Sequence, residues 1–571
     1  MTLVQPIELE PSRETERLSA GKSRMMMWLA DGGELSTVPE EIRRALQDVQ
    51  RDVVLVRTPN GLGVTEGGRI HIDGKADRVS PSVGEYPVVA ILPAVPPASL
   101  GDRTFLRDHN LRYPYVAGAM ANGIGSCEIV ETLSREGMLG FFGAAGLPPE
   151  RVAAAVERLQ TRLGDQPFGV NLIHSPNEPR LESEIAELYL RRGVRLVEAS
   201  AYLDLTLPLV KYRVAGIRRD SDGQPLAVNR IIAKVSRVEV ATKFMSPPPE
   251  RFLRELQQQG FLTPEQVQLA SRVPMAQDVT AEADSGGHTD NRPAITLIPT
   301  LLALRDRLQK HYDYRKPLRV GAAGGIATPA SAAAAFAMGA SYIVTGSINQ
   351  ACVESGSSDL VREMLAQAEQ ADVTMAPAAD MFEMGVKVQV LKRGTMFPMR
   401  AAKLYDLYRT YPNLEAIPTA ERNQLEKNIF RMSFQEVWQQ TRSYFEHRDP
   451  AQIHKAEVDP KHKMALVFRW YLGQSSRWAN QGIAERKLDF QIWCGPAMGA
   501  FNEWTRGSFL EDPKQRQVAI VAKNLLYGAA LTLRGWSLRQ QGVDVPSDWI
   551  APQTLDAEAL RSLFDGEVAS R

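Results

Sequence analysis

The stretch 318–347, LRVGAAGGIATPASAAAAFAMGASYIVTGS, decides the fold of this chain. It begins with an apolar run that ends in Gly324-Gly325 and continues through an alanine-rich helical segment that starts at Thr328-Pro329. A second apolar run follows and ends in Thr345-Gly346-Ser347. A strand, a helix and a second strand in this order predict a βαβ unit, because two parallel strands need a crossover connection.

The same alternation extends toward the amino terminus from this stretch. Helical patterns separate most of the apolar runs, for example at residues 127–136, 149–163 and 183–192. Eight successive βα units predict an α/β fold of the closed (β/α)₈ type, a TIM barrel. A doubly wound open sheet is the main alternative. The eight predicted strands occupy residues 115–119, 139–142, 168–172, 196–199, 231–235, 279–283, 318–322 and 342–345.

Segments of different character flank the predicted barrel, which we assign to residues 111–360 with an insertion at about 237–275. Residues 1–110 form an N-terminal accessory segment that carries no βα alternation. Strand patterns stop at about residue 360. Residues 361–571 therefore predict a helical C-terminal subdomain, in which most of the tryptophans collect.

Composition excludes several classes of function. The 571 residues include 67 Lys and Arg and 67 Asp and Glu, so no basic excess points to nucleic acid. The three cysteines lie far apart without a Cys/His cluster, which predicts neither disulfides nor a metal site. The N-terminus lacks a signal-peptide pattern, and no apolar stretch has membrane-spanning length. These features predict a soluble, cytoplasmic protein that does not bind a membrane.

Glycines and polar residues gather where the predicted strands end. Active sites of (β/α)₈ barrels form at this end, and phosphate is commonly bound by the loops after strands seven and eight. The candidate site residues are Ala119, Met120, Ala121 and Asn122 after the first strand, Asn171 in the third, Glu198 in the fourth, Lys234 in the fifth, Gly286, Gly287 and His288 after the sixth, Gly324, Gly325 and Ile326 after the seventh, and Thr345, Gly346 and Ser347 after the eighth.

Two of these residues are candidates for catalysis. His288 follows two glycines, which let a flat ligand approach the backbone, and its imidazole exchanges a proton near neutral pH. Lys234 lies within an apolar strand, where a charge is costly unless it is paired. It is either a buried partner of Glu198 or Glu282, or a group that faces cofactor or substrate. His174 is a weaker alternative acid.

At these residues the chain resembles the flavin-dependent barrel enzymes that include the nitronate monooxygenases. The matching elements are Ala119-Met120-Ala121, residues 167–171, Gly286-Gly287-His288 and residues 323–326. Longer motifs at 115–123, 197–202, 282–291 and 382–394 resemble one subgroup, the trans-acting enoyl reductases of bacterial polyketide and polyunsaturated-fatty-acid synthases. One departure is Glu198-Ala199-Ser200, where many of the monooxygenases carry a histidine.

The resemblance implies FMN as cofactor, NADPH as hydride donor, and an enoyl thioester on an acyl carrier protein as substrate. It further implies that the strand-end residues hold FMN, with His288 close to the reacting carbons. Whether His288 or Lys234 gives the proton stays open at this point. A nitronate monooxygenase-like oxidase and a non-catalytic docking protein of a synthase are the alternatives. Apolar positions on the C-terminal helices would suit a homodimer.

Overall fold

The computed structural model describes residues 25–73, 84–174 and 179–565. The described residues fall into two compact units. One lies within Met1–Pro96 and Leu531–Ala551, and the other within Pro97–Ala530 and Pro552–Arg571. The candidate site residues all belong to the second unit.

The first unit is built on a six-stranded sheet in which every neighbouring pair is antiparallel. Helix Pro39–Gln47 covers it with Ile42 and Leu46, which pack into a buried apolar cluster with Leu55 and Leu538. In sheet order the strands are Glu34–Ser36, Gly61–Glu66, Val53–Thr58, Glu85–Leu92, Met25–Leu29 and Arg69–Asp73.

The second unit contains a closed barrel of eight parallel strands, which confirms the predicted (β/α)₈ fold and excludes the open sheet. All eight predicted strands are present. The barrel closes where the eighth strand pairs with the first, with Thr345 opposite Ala117. In chain order the barrel strands one to eight are Tyr115–Ala117, Leu139–Phe142, Gly169–Ile173, Leu196–Ser200, Arg230–Val235, Asp278–Glu282, Arg319–Ala323 and Ile343–Thr345.

Apolar side chains fill the barrel, and helices surround it. The helix after strand seven shows how the sequence sets a boundary. Thr328 caps it through a capping box with Ser331, and Pro329 occupies its first turn. The helices of this region are Arg103–His109, Cys127–Arg135, Pro149–Leu163, Pro179–Arg192, Leu207–Val214, Val238–Met245, Glu250–Gln258, Pro264–Ala270, Ala294–Tyr312, Pro329–Ala337, Ser347–Gln350 and Asp359–Ala366.

Two strands follow the barrel, where the sequence predicted that strand patterns had stopped. Val373–Pro377 and Lys387–Leu391 form an antiparallel hairpin, and the second of them also pairs with Gly287–His288. The prediction is wrong here because both strands are short and their third partner lies much earlier in the chain. The sequence of the two short strands does not indicate that Gly287–His288 is their third partner.

Helices make up most of the remaining chain, which confirms the predicted helical C-terminal region. An aromatic core that includes Phe382, Phe430, Phe468 and Tyr471 holds many of them together. None of the helices in the described residues is both long and apolar enough to cross a membrane. The main helices are Phe397–Thr410, Thr419–Leu425, Phe434–Arg448, Pro450–Val458, Pro460–Gln481, Ala497–Thr505, Val518–Gln540 and Ala557–Asp565.

Candidate active site

Hydrogen bonds of Glu198 and Asn171 connect barrel strands three and four with the segment that follows strand one. The backbone N–H of Ala119 donates to Oε2 of Glu198 over 2.8 Å. The amide of Asn171 donates to the carbonyl of Glu198 over 3.0 Å and to the hydroxyl of Ser200 over 3.1 Å. Three predicted site residues therefore meet, and the N–H groups of Asn171 bond to the protein itself.

Lys234 lies between two carboxylates of strands four and six. Its Nζ atom is 3.8 Å from Oε2 of Glu198 and 3.2 Å from Oε1 of Glu282. Burial raises the pKa of Glu198, and the charge of Lys234 opposes that rise. Burial alone would lower the pKa of Lys234, but the two carboxylates outweigh it and raise that pKa. Lys234 therefore stays an ammonium group, and both carboxylates considered from the sequence are its partners.

One oxygen of this cluster has no protein partner. Oε1 of Glu198 is buried and accepts no hydrogen bond from the described residues. Buried polar atoms are nearly always bonded, so an orphaned oxygen in a barrel strand calls for an explanation such as a ligand donor. Gly118 lies beside it, and a Cβ at that position would approach this oxygen to 3.5 Å.

His288 is held by a strand that the barrel itself does not supply. Gly287 and His288 pair with Gln389 and Val388 of the hairpin after the barrel. Nε2 of His288 lies 3.2 Å from Oδ1 of Asp380, and 36% of the imidazole side chain is exposed. Burial lowers the pKa of His288, but the hydrogen bond and charge of Asp380 outweigh it, so that pKa is raised. The imidazolium form therefore persists to higher pH than in a free histidine.

The two glycines before His288 have different surroundings. A Cβ at Gly286 would lie 2.9 Å from the backbone nitrogen of Cys494, so this glycine allows the close approach of another protein segment. Gly287 has φ +81°, and a Cβ there would meet no described atom within 4 Å. Of the pair, Gly287 borders open space and Gly286 does not.

The loops after strands seven and eight leave open space at two glycines. Gly324 packs against the backbone of Ala283, where a Cβ would come within 2.5 Å of the carbonyl carbon. A Cβ at Gly325 or Gly346 would meet no described atom within 4 Å. The hydroxyl of Ser347 accepts a hydrogen bond of 3.2 Å from the backbone of Gly495. The two loops predicted to bind a phosphate are therefore open at Gly325 and Gly346.

Several predicted site residues turn toward the protein. The Thr345 hydroxyl donates to Tyr115 over 2.7 Å and is buried, and Ile326 is also buried. The amide of Asn122 donates to the hydroxyl of Ser476 over 3.1 Å. Ala119, Met120 and Ala121 are only half-buried at the end of strand one.

His174, the weaker alternative acid, belongs to a separate group. Its Nδ1 atom lies 2.8 Å from Oε2 of the buried Glu182. The hydroxyl of Tyr202 donates to the other oxygen of Glu182 over 3.1 Å, and the His174 ring stacks on Tyr202. A buried carboxylate thus fixes the orientation of this imidazole.

Sequence reasoning missed Asp380 and Gln389. Asp380 pairs with His288, and Gln389 bonds the loop that carries it. Gln389 carried a usable signal, because a polar side chain between Val388 and Val390 of an apolar run costs free energy unless it is bonded. Asp380 carried no comparable signal, since it lies in an irregular segment between two short strands.

Two family models match the chain. Residues 103–417 match the model described as nitronate monooxygenase. Residues 411–490 match the model described as the inserted helical domain of [acyl-carrier-protein] S-malonyltransferase. The first covers more than half of the chain and contains the barrel and the hairpin after it.

Similar proteins include a fatty acid synthase subunit and a polyketide biosynthesis protein. One of the polyunsaturated fatty acid synthase subunits of Thraustochytrium sp. is 48% identical over 447 residues, which are 77% of this chain and 30% of that protein. Polyketide biosynthesis protein PksE of Bacillus subtilis is 46% identical over 450 residues, 79% of this chain and 58% of that protein. The chain thus spans less than two thirds of the length of either relative.

A solved structure matches over its whole length. The enoyl reductase domain of MlnA, from the macrolactin biosynthesis cluster of Bacillus amyloliquefaciens, is 42% identical with a TM-score of 0.74. The match covers 78% of this chain and 100% of that domain.

Proposed function

The chain belongs to the nitronate monooxygenase family, among the enoyl reductases of polyketide and polyunsaturated fatty acid synthases, and we propose that it reduces the α,β double bond of enoyl thioesters with FMN and NADPH. The substrate is tethered to an acyl carrier protein. The observation that carries the proposal is the pairing of His288 with Asp380 beside open, glycine-lined strand ends.

The residues present fit a flavin mononucleotide. Open space at Gly325 and Gly346 suits a phosphate, at the two loops where barrels of this type commonly bind one. The unpartnered buried oxygen of Glu198 suits a donor group of the ligand. Of the residues predicted to hold the cofactor, those that leave a polar group or open space for it are Glu198, Gly287, Gly325 and Gly346. The side chains of Asn122, Asn171 and Thr345 bond to the protein itself.

The chemistry that a bound flavin supplies is hydride transfer, from NADPH to the β-carbon of the enoyl thioester. His288 gives the α-carbon its proton, so that one hydride and one proton together saturate the double bond. Its Nε2 lies against Asp380, so the proton transferred in this proposal is the one on Nδ1. A positioned general acid typically contributes about 10²–10⁴-fold.

Lys234 has a different part in this proposal. An ammonium group whose pKa is raised by two carboxylates gives up its proton reluctantly, which makes it a poor acid. Its fixed positive charge instead offsets Glu198 and Glu282 and polarises groups at the centre of the barrel mouth. The proton therefore comes from His288, and Lys234 provides electrostatic stabilisation.

The kinds of relatives that the chain has support a carrier-bound substrate. One belongs to a polyunsaturated fatty acid synthase, and another is a polyketide biosynthesis protein. The helical segment 411–490 also resembles a domain of an enzyme whose description names the acyl carrier protein. A tethered thioester is consistent with both, and it is the substrate that we assign.

The test is a spectrum of the purified protein followed by turnover. We expect FMN absorbance, bleaching by NADPH without oxygen, and recovery of colour on addition of crotonyl-acyl carrier protein. In D₂O one deuterium should enter the α-carbon, and with deuterated NADPH one should enter the β-carbon. Mass spectrometry of the released acyl group measures both.

Two other results would replace the proposal. Oxidation of a nitronate by O₂ without reduction of the enoyl thioester would identify an oxidase. A colourless protein that takes up no FMN would identify a docking protein of a synthase. A ratio of crotonyl-pantetheine to crotonyl-carrier turnover near one would remove the carrier protein from the proposal and leave the enoyl reduction intact.

A further inference from the structure

Gln389 is a buried polar residue in the middle of an otherwise apolar strand. It lies in Lys387–Leu391, opposite Gly287 in the antiparallel pairing, and is 5% exposed. Its carbonyl accepts a 3.4 Å hydrogen bond from the backbone N–H of Cys494. The backbone of this residue is therefore fixed from two sides before its side chain makes any contact.

The side-chain amide of Gln389 bonds both ends of the loop that carries His288. Its Nε2 donates to Oδ1 of Asp284 and to the carbonyl of Ser285, each over 2.9 Å. Its Oε1 accepts from the amide of Asn291 over 3.4 Å. Asn291 also donates to Asp284 over 2.8 Å, so the start and the end of the loop share one bonded group.

The geometry requires an amide. Two donors face two acceptors, and one acceptor faces one donor, which only glutamine supplies at this length. Leucine would fill the volume and leave the half-buried Asp284 and Ser285 without these donors, at a cost for each group. Glutamate would place a second carboxylate against Asp284 and the Ser285 carbonyl, where like charges repel.

We propose that Gln389 is a positioning residue, which closes the loop from Asp284 to Asn291 and thereby fixes His288 at the barrel mouth. This inference rests on the proposed function for its effect on turnover, but its effect on the histidine can be measured without substrate. The charged groups that act on His288 are Asp380, Glu282 and Lys234, and Asp284 faces residue 389 itself.

The first experiment compares Gln389→Leu with Gln389→Glu. Misplacing a catalytic group by about 1 Å can cost about 10²-fold, so we expect kcat of both variants to fall by about 10- to 100-fold. KM for NADPH and the FMN content should change much less than kcat, since the only predicted cofactor residues on this loop are Gly286 and Gly287. The glutamate variant alone should regain activity relative to wild type as pH falls, because protonation removes its repulsion with Asp284 and restores a donor.

The second experiment follows the ionisation of His288 by NMR with ¹³C-labelled histidine, assigned with His288→Asn. In Gln389→Leu the midpoint should move to lower pH, because the loop no longer holds the imidazole against Asp380. Gln491→Leu is the matched control. Gln491 is another buried glutamine, whose amide lies 2.9 Å from the Leu472 carbonyl and 3.3 Å from the Trp493 indole nitrogen. The Gln491→Leu variant should be less stable than the wild type, but the midpoint of the His288 titration should not change.

Unchanged kcat and an unchanged His288 midpoint in Gln389→Leu would overturn the inference. Equal losses at every pH in the leucine and glutamate variants would show a purely structural role and overturn it as well. Should Gln389→Leu fail to fold, Asn291→Ala removes the exposed half of the same bonded group and should move the midpoint in the same direction. If the wild-type protein reduces no enoyl thioester, the proposed function is wrong. The NMR midpoint of His288 still tests whether Gln389 positions the histidine.

Discussion

The ammonium group of Lys234 lies 3.8 Å from Oε2 of Glu198, a carboxylate with no exposed side-chain surface in the neighbouring barrel strand. The two residues depend on each other for their charge. Burial works against ionisation of both, and their attraction, together with Glu282, keeps Lys234 charged. Glu198 is the third of the five residues of its strand and Lys234 is the fifth of the six residues of its own, so the pair lies within two neighbouring parallel strands of the barrel.

Removing Lys234 should therefore lower the stability of the fold, in addition to any effect on enoyl reduction. Breaking one side of a buried ion pair typically costs about 3–5 kcal/mol, because the other charge stays buried without compensation. We expect Lys234→Met to lower the free energy of unfolding by an amount in this range. Urea unfolding followed by tryptophan fluorescence measures it.

A double variant separates charge from packing. Glu198→Gln combined with Lys234→Met removes both charges and keeps the volume, so it should recover part of the stability lost in Lys234→Met. A double variant no more stable than Lys234→Met would mean that the loss comes from packing of the lysine stem.

His288→Asn tests the acid. We expect kcat for enoyl reduction to fall by about 10²–10⁴-fold, the usual contribution of a positioned general acid. FMN content and the rate of bleaching by NADPH should stay near wild type, because the proton is needed only when the substrate is reduced. Stopped-flow absorbance separates these two half-reactions. Near wild-type turnover with FMN bound would remove His288 as the proton donor.

Asp380→Asn tests the pH dependence. The carboxylate raises the pKa of His288 against the opposing effect of burial, so its removal should lower that pKa. The reaction needs the imidazolium, which exists below the pKa. The decline of kcat at high pH should therefore begin at lower pH in the variant, and the two enzymes should agree well below about pH 6.5, the ordinary value for histidine. A pH profile with the same upper limb in both proteins would contradict this assignment.

The barrel could be predicted because each of its strands leaves a local trace. Parallel strands covered on both faces appear as short, continuous apolar runs, and in a barrel each is followed by a helix. Strand two, Leu139–Phe142, and strand eight, Ile343–Thr345, both show this pattern. The position of Glu198 and Lys234 in neighbouring strands follows from the same topology. That these residues contact a cofactor stays a prediction.

The environment of His288 could not be predicted in the same way. It depends on a hairpin about a hundred residues downstream, and a local sequence pattern does not tell which distant strand will pair with a short segment such as Gly287–His288. Asp380 and Gln389 reach the histidine only through this pairing. The direction of a side chain could not be predicted from the sequence either. The hydroxyl of Thr345, for example, could have faced the barrel mouth, but it bonds to the buried Tyr115.

The proposed phosphate position can be tested at Gly325 with Gly260 as a matched control. Gly325 has φ +76° and Gly260 has φ +73°, and a Cβ at either would meet no described atom within 4 Å. Alanine should therefore cost both positions about the same backbone strain, on the order of 1–2 kcal/mol. Only at Gly325 would the new methyl group occupy space that a cofactor phosphate needs.

We expect Gly325→Ala to weaken FMN binding by about tenfold or more, which corresponds to about 1.4 kcal/mol, while Gly260→Ala binds FMN like the wild type. Fluorescence titration of the deflavinated proteins gives both affinities, and equal affinities would place the phosphate elsewhere.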